Sequence, residues 1–299
     1  MKRLGMIVLL LPLLLLRAVP VSAVEPVATA GAVATGLLPP GESKDFFPEG
    51  DIFAAPLASI KEPRFHVTWL KFNLDSGEVN VGSVSFGENF GLVRWQGWRD
   101  DQYWQLGISG AIQAQFNLDS PSKDLVNADY IIGFPLTVRS KNWSGRLRLY
   151  HQSSHLGDEY LLYQQSGVPA MERINLSYEA VEAWLGYDWR QWRIFAGPSL
   201  ILHSDTPLQR KSVQAGFDYR GGERTRVALR PFAALFVNWW EEVDWVPSAS
   251  LRTGVILASP YAGRRQCLVY AEGFKGYLPF GQFYRENAFY YGLGVSFGF

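Results

Sequence analysis

The chain has 299 residues, and its 28 Lys and Arg balance 28 Asp and Glu, so no net charge exists to attract nucleic acid. Hydrophobic residues at 47% and charged residues at 19% exclude wholesale disorder, while a mean hydropathy near zero excludes a bundle of membrane helices. Aromatic residues at 15%, 29 Gly and a single Cys point instead to strands and tight turns without a disulfide framework.

The first segment carries a targeting pattern. Lys2 and Arg3 precede an apolar run from Met6 to Leu16, and Val21-Ser22-Ala23 has the small-x-small form of a cleavage site. Residues 1–23 therefore read as a signal peptide, since Pro12 and Arg17 leave the run too short to span a bilayer. Residues 24–62 are rich in Ala, Gly and Pro, as in Pro39-Pro40-Gly41, and show no periodicity. They read as an extended periplasmic segment leading into a domain over residues 63–299.

From Pro63 onward the hydrophobic period is two. In the last stretch Phe289, Tyr291, Leu293, Val295 and Phe297 alternate with Tyr290, Gly292, Gly294, Ser296 and Gly298. Comparable alternation runs through Trp104–Phe116, Val126–Val138, Val213–Tyr219 and Trp245–Leu257. These runs of about 9–13 residues exceed the usual strand of a soluble sandwich and match a tilted strand crossing a bilayer. Aromatics such as Trp104, Trp143, Trp192 and Trp239-Trp240 stand near their ends, as in interfacial girdles. Hydrocarbon leaves an open sheet edge unsatisfied, so such strands must close on themselves. The expected fold is all-β, a transmembrane antiparallel barrel of about 12 strands, centred near residues 69, 83, 110, 132, 147, 179, 197, 215, 232, 251, 269 and 293. The expected location is the bacterial outer membrane. The terminal Phe299 after alternating hydrophobics resembles the C-terminal signature that the barrel assembly machinery reads.

The connections after the even strands are expected to be the tight inner turns, although the one at 88–101 is long for that role. Arg146, Arg148, Asp129, Arg139, Glu179, Arg252 and Glu272 are assigned to the lumen, where opposite charges would form a salt-bridged plug or line a narrow channel.

One segment carries candidate chemistry. On the fifth strand the parity of Trp143, Leu147 and Leu149 turns His151 and Ser153 outward and Arg146, Arg148 and Gln152 inward. An imidazole two residues from a hydroxyl on one face is placed to take its proton. Eight residues separate Trp143 from His151, about 20 Å along the membrane normal, which sets the pair at the outer-leaflet ester boundary. His151, His155, Asp158 and Glu159 also allow a metal reading centred on His155, without the spacing of any zinc pattern.

His151-Gln152-Ser153 resembles the His-x-Ser dyad on the outer surface of two enzyme families, outer-membrane phospholipase A and lipid A deacylase. That resemblance implies acyl hydrolysis of outer-membrane lipids. It also implies a third member twelve positions past the Ser, which is Gln165 here, with Asp158 and Glu159 as nearby acidic substitutes. Those families follow the Ser with Asn, where this chain has Ser154. The phospholipase resemblance further implies calcium. Over most of residues 47–299 the chain resembles a Gram-negative outer-membrane family known only as a domain of unknown function. The stretches that carry it are Gly87-Glu88-Asn89-Phe90-Gly91, Asp124–Tyr130, Arg146–Tyr160 and Asn175–Glu179. Three functions stay open on the sequence: a lipid acyl hydrolase with catalytic His151 and Ser153, a narrow channel, and a structural or interaction barrel without turnover.

Overall fold

The computed structural model describes Leu38 and residues 42–74, 77–164, 174–222, 229–258 and 266–298. The expected signal peptide, Gln165 and the terminal Phe299 lie outside the described residues. Thirteen strands form one sheet: β1 (Lys44–Phe46), β2 (Phe65–Leu74), β3 (Gly77–Gln96), β4 (Gln102–Asn117), β5 (Leu125–Ser140), β6 (Trp143–Leu156), β7 (Ser177–Trp189), β8 (Trp192–Ser204), β9 (Lys211–Arg220), β10 (Leu229–Trp240), β11 (Ser248–Ala258), β12 (Gln266–Tyr277) and β13 (Asn287–Gly298). A short helix, α1 (Asp158–Gln164), follows β6.

Strands β2 to β13 pair antiparallel with their sequence neighbours, and β13 pairs with β2 to close a 12-strand barrel. Closure satisfies every strand edge along the ladder, which no open sheet achieves in an apolar medium. All twelve expected strand centres fall within these strands. The long connection expected at 88–101 shrinks to residues 97–101, because β3 continues to Gln96. Two-residue turns at Lys141-Asn142 and Arg190-Gln191 each begin with a left-handed residue, φ 49° and 54°. The longest connection, between β6 and β7, lies at the opposite end of the barrel.

The period-two pattern decides inside from outside. On β13, Tyr291, Leu293 and Phe297 are exposed while Ala288, Tyr290 and Ser296 are buried. On β6, Trp143, Leu147 and Leu149 face out, and Ser144, Arg146, Arg148, Gln152 and Ser154 face in. The exterior is thus mostly apolar, and most of the barrel's buried charges are inside. Arg139 and Arg193 share Asp188, Arg146 and Arg148 share Glu182, and Arg252 bonds Glu272 at 2.5 Å.

The lumen is also filled by the chain's own N-terminal part. Residues 24–62 were expected as a segment outside the barrel, but its stretch 51–62 lies inside the lumen. Ile52, Phe53, Ala58 and Glu62 are almost wholly buried. Phe53 packs between the guanidinium groups of Arg146 and Arg193, 4.9 and 4.8 Å from its ring centre. The backbone of Leu57 donates to Asp218 and accepts from Arg252, and Gln113 donates to the Ile60 carbonyl. Glu62 accepts two hydrogen bonds from Arg146, at 2.8 and 2.5 Å, and Lys61 pairs with Asp129. The pairing is local: Arg146 and Arg148 share one wall carboxylate, Glu182, and Glu62 supplies a second, while Lys61 answers the wall's Asp129.

The entry of this plug explains a glycine pair. β1 pairs with Val93–Trp95 of β3 and β2 pairs with Gly77–Ser85, while β4 occupies the other edge of β3. β1 and β2 therefore share one edge of β3, and residues 47–64 form an inward excursion between them. A Cβ on Gly91 would meet Pro48 Cγ at 2.8 Å, and one on Gly87 would meet Ala111 Cβ at 2.7 Å and the Gly110 carbonyl at 2.9 Å on β4 as well as the Arg64 nitrogen at 3.0 Å. The glycines sit where the chain leaves and rejoins the wall. Beyond the plug, a cavity of about 170 Å³ remains, lined by Lys61, Arg148, Tyr150 and Tyr178 among others.

Burial pushes the Glu62 carboxyl up, but Arg146, Arg148 and Arg64 outweigh it and hold it down to about 2. A depressed folded-state value stabilises above the ordinary value of 4.5 and loses that contribution as pH falls toward about 2. Glu62→Gln should destabilise the barrel by about 3–5 kcal/mol at neutral pH, because it leaves buried guanidinium groups without their carboxylate. Urea unfolding in detergent should show this, with the gap to wild type narrowing across that acid window; equal midpoints at neutral pH would refute it. Planar-bilayer recordings of the full chain should show no steady conductance, whereas replacing residues 51–62 by a short Gly-Ser linker should open one. A conducting wild type would overturn the plug.

An exterior His-Glu-His cluster

β6 brings His151 and Ser153 to the outer surface at the end of the barrel that carries the longest connection, as its alternation demands. On β7 the buried residues are Ala180, Glu182, Trp184 and Asp188, so Glu179 belongs with Val181 and Leu185 on the exterior. This corrects the lumenal assignment of Glu179. The alternation of Val181, Ala183 and Leu185 was the available signal.

Register then assembles the cluster. His151 is the Cα partner of Glu179, and Glu179 is the partner of His203 on β8. Its carboxylate takes His151 Nδ1 at 2.8 Å on one oxygen and His203 Nδ1 at 3.0 Å on the other. A β-bulge places His203 there. Glu179 pairs with His203 but Ala180 pairs with Ile201, so Leu202 is an extra residue and both Leu202 and His203 face outward. The three side chains remain accessible, at 39%, 43% and 71% exposure for His151, Glu179 and His203. Sequence reasoning missed His203, because a bulge breaks the parity from which facing is read.

Ser153 stands one pleat further along the same face, with Tyr130 on β5 and Ser177 on β7 as its Cα partners. Its hydroxyl shares the outward face with His151 but makes no hydrogen bond to it. With Nδ1–H donated to Glu179, the His151 Nε2 carries the lone pair and faces away from the carboxylate, the tautomer required of a general base. Ser154, which replaces the Asn of the resembled dyad, points inward and bonds Asn127 and Asp129 at 3.0 and 2.5 Å.

The other candidates lie apart. Asp158 and Glu159 form the first turn of α1, beyond the end of β6, and neither is bonded to His151, whose Nδ1 is taken by Glu179. His155 packs edge-on against Tyr130, with ring centres 5.5 Å apart. Among the described residues, no three His, Cys, Asp or Glu converge as metal ligands, so the metal reading at His155 finds no partners. Calcium does not fit beside Ser153 either. It needs six or more oxygens, and among the described residues the carboxylate at hand, Glu179, has both of its oxygens on imidazoles.

Among solved structures, outer membrane phospholipase A from Escherichia coli is 13% identical; the match covers 79% of this chain and 92% of that one, with a TM-score of 0.50. The β domain of the Bordetella autotransporter Brka is 12% identical over 80% of this chain and 99% of that one, with a TM-score of 0.43. At 13% identity the phospholipase match shows only a shared fold, that of an outer-membrane β-barrel. No curated protein is significantly similar in sequence. A family match spans residues 24–299 and so takes in plug, barrel and cluster together: the chain belongs to the family described as Protein of unknown function (DUF1207).

Proposed function

We propose that the protein is an outer-membrane acyl hydrolase that acts on outer-leaflet lipid from the exterior of its barrel, with Ser153 as nucleophile, His151 as base and Glu179 as the group that orients His151. The observation that carries this reading is the 2.8 Å contact of His151 Nδ1 with Glu179 on the face that also bears Ser153. A carboxylate and an imidazole on an apolar exterior are costly to keep in hydrocarbon, and such groups mark function more often than architecture. The filled lumen weighs against a channel, and the apolar exterior suits a protein embedded in lipid.

Ser153 Oγ attacks the ester carbonyl carbon while its proton passes to His151 Nε2. The C–O bond to the alcohol then breaks, and the same proton goes to the leaving oxygen. Water, deprotonated by His151, hydrolyses the acyl-serine, releases a fatty acid and returns the proton to Ser153. Glu179 holds the tautomer and stabilises the transient imidazolium, and His203 fixes the carboxylate plane by occupying its second oxygen.

Ser153→Ala and His151→Ala should each lower lipid acyl release by several orders of magnitude, and Glu179→Gln by about 10²–10⁴-fold. Mass-spectrometric assay of fatty acid release from phospholipid and lipid A in mixed micelles measures this. A serine-directed phosphonate should label Ser153 in wild type. Absence of turnover and of labelling in wild type would leave an interaction barrel without catalysis.

A further inference from the structure

Beside the cluster, the exterior surface carries a groove with about 430 Å³ of free volume. Its floor is Gly110, between Ile108 and Ile112 on β4; Phe86 and Phe90 of β3 form one wall, and Tyr130 and Ile132 of β5 the other. The groove ends at His151. Its lining is apolar but for the Tyr130 phenol and the His151 imidazole, since the Ser109 hydroxyl turns inward to the Gly133 carbonyl. The groove exists because position 110 has no side chain: the outward residues on either side of it along β4 are Ile, its partners across the ladder are Glu88 on β3 and Ile132 on β5, and Phe86 and Phe90 stand diagonally on either side of Glu88.

We propose that this groove holds the acyl chain of the ester that Ser153 attacks, so that the substrate is a long-chain acyl ester and the Gly110 floor determines the preference for chain length. The proposal rests on the hydrolase reading above. Its warrant is complementarity: one end is polar and adjoins Ser153 through Tyr130, its Cα partner, while the remainder is hydrocarbon-like, the distribution of an ester head and its tail. Direction agrees. His151 lies five residues before β6 ends at Leu156, Gly110 lies seven before β4 ends at Asn117, and Phe86 and Phe90 lie nine and thirteen after β3 begins at Gly77. The groove therefore descends from the rim toward the middle of the barrel wall as it leaves His151. From β6 to β3 it crosses three strand spacings, about 14 Å, a length suited to a hydrocarbon tail rather than an acetyl group. Its volume lies within the range of small-molecule sites.

Gly110 also offers a clean test, because a Cβ built there meets nothing closer than the Ile131 carbonyl at 3.8 Å. Gly110→Leu fills the groove without displacing backbone. Turnover of p-nitrophenyl palmitate and p-nitrophenyl acetate is measured on full-length protein in detergent, and the ratio of the two kcat/KM values is the readout. In Gly110→Leu the palmitate-to-acetate ratio should fall about tenfold or more. Gly273→Leu on β12 is the control, since a Cβ there also meets open space on the outer face, remote from the groove, and it should keep the wild-type ratio. Retained heat-modifiable gel migration shows that both variants fold. Ester turnover in wild type with an unchanged ratio in Gly110→Leu overturns the groove while leaving the hydrolase standing; no ester turnover in wild type, with no phosphonate labelling of Ser153, overturns both. Sedimentation of wild type and Gly110→Leu covers the other occupant: a dimer lost in the variant, with the ratio unchanged, assigns the groove to a second copy of the chain and also overturns the proposal.

Discussion

Every feature of this protein depends on closing a sheet so that no backbone amide or carbonyl is left on an open edge. In water an edge strand is tolerable; in hydrocarbon each unpaired group costs several kcal/mol. Pairing β13 with β2 meets that demand and simultaneously divides every strand into an outer and an inner set of side chains. The outer set is apolar. The inner set is rich in Arg, Asp, Glu and Gln, and these side chains are buried and have to be satisfied within the lumen.

The plug follows from that second consequence. A buried guanidinium needs both a carboxylate and fixed hydrogen-bond acceptors, and at Arg146 and Arg148 the wall offers one shared carboxylate, Glu182. Residues 51–62 bring in Glu62 and a run of backbone carbonyls, and Arg146, Arg252 and Gln113 fasten them. Threading a segment into a barrel requires a break in one strand position. Here the break falls between β1 and β2, and Gly87 and Gly91 on the facing strand leave room for the chain to pass. The architecture is thus a filled cylinder that carries the His-Glu-His cluster on its exterior.

The exterior cluster runs against the rule that makes the outer face apolar. The Glu179 carboxylate has an imidazole partner on each oxygen, and the cluster is held across three strands. The bulge at Leu202 is what completes it, by adding one residue so that His203 does not turn into the lumen. The groove over Gly110 arises from the complementary device, a missing side chain amid large ones. The His151 imidazole and the trough lie side by side because His151, Ile132 and Gly110 occupy successive positions across the ladder, with Glu88 next on β3.

The local period of two determined the fold class, the number of strands, and the facing of most residues, because alternation is a property of the backbone and needs no tertiary information. His151 and Ser153 were legible for that reason: Leu147 and Leu149 fix the parity of β6. Glu179 was within reach of the same argument on β7, through Val181 and Leu185, yet its partnership with His151 depends on register between strands that a connection of twenty residues, 157–176, separates. His203 was beyond reach, since a bulge shifts parity without a mark in composition. The plug was equally hidden: Phe53 and Glu62 have no periodicity around them, and what draws them inside is the charge of Arg146 and Arg193 on strands far along the chain. Local sequence set which face each side chain takes; only closure of the barrel decided which faces meet, because those contacts join residues that nothing in the chain's local pattern relates.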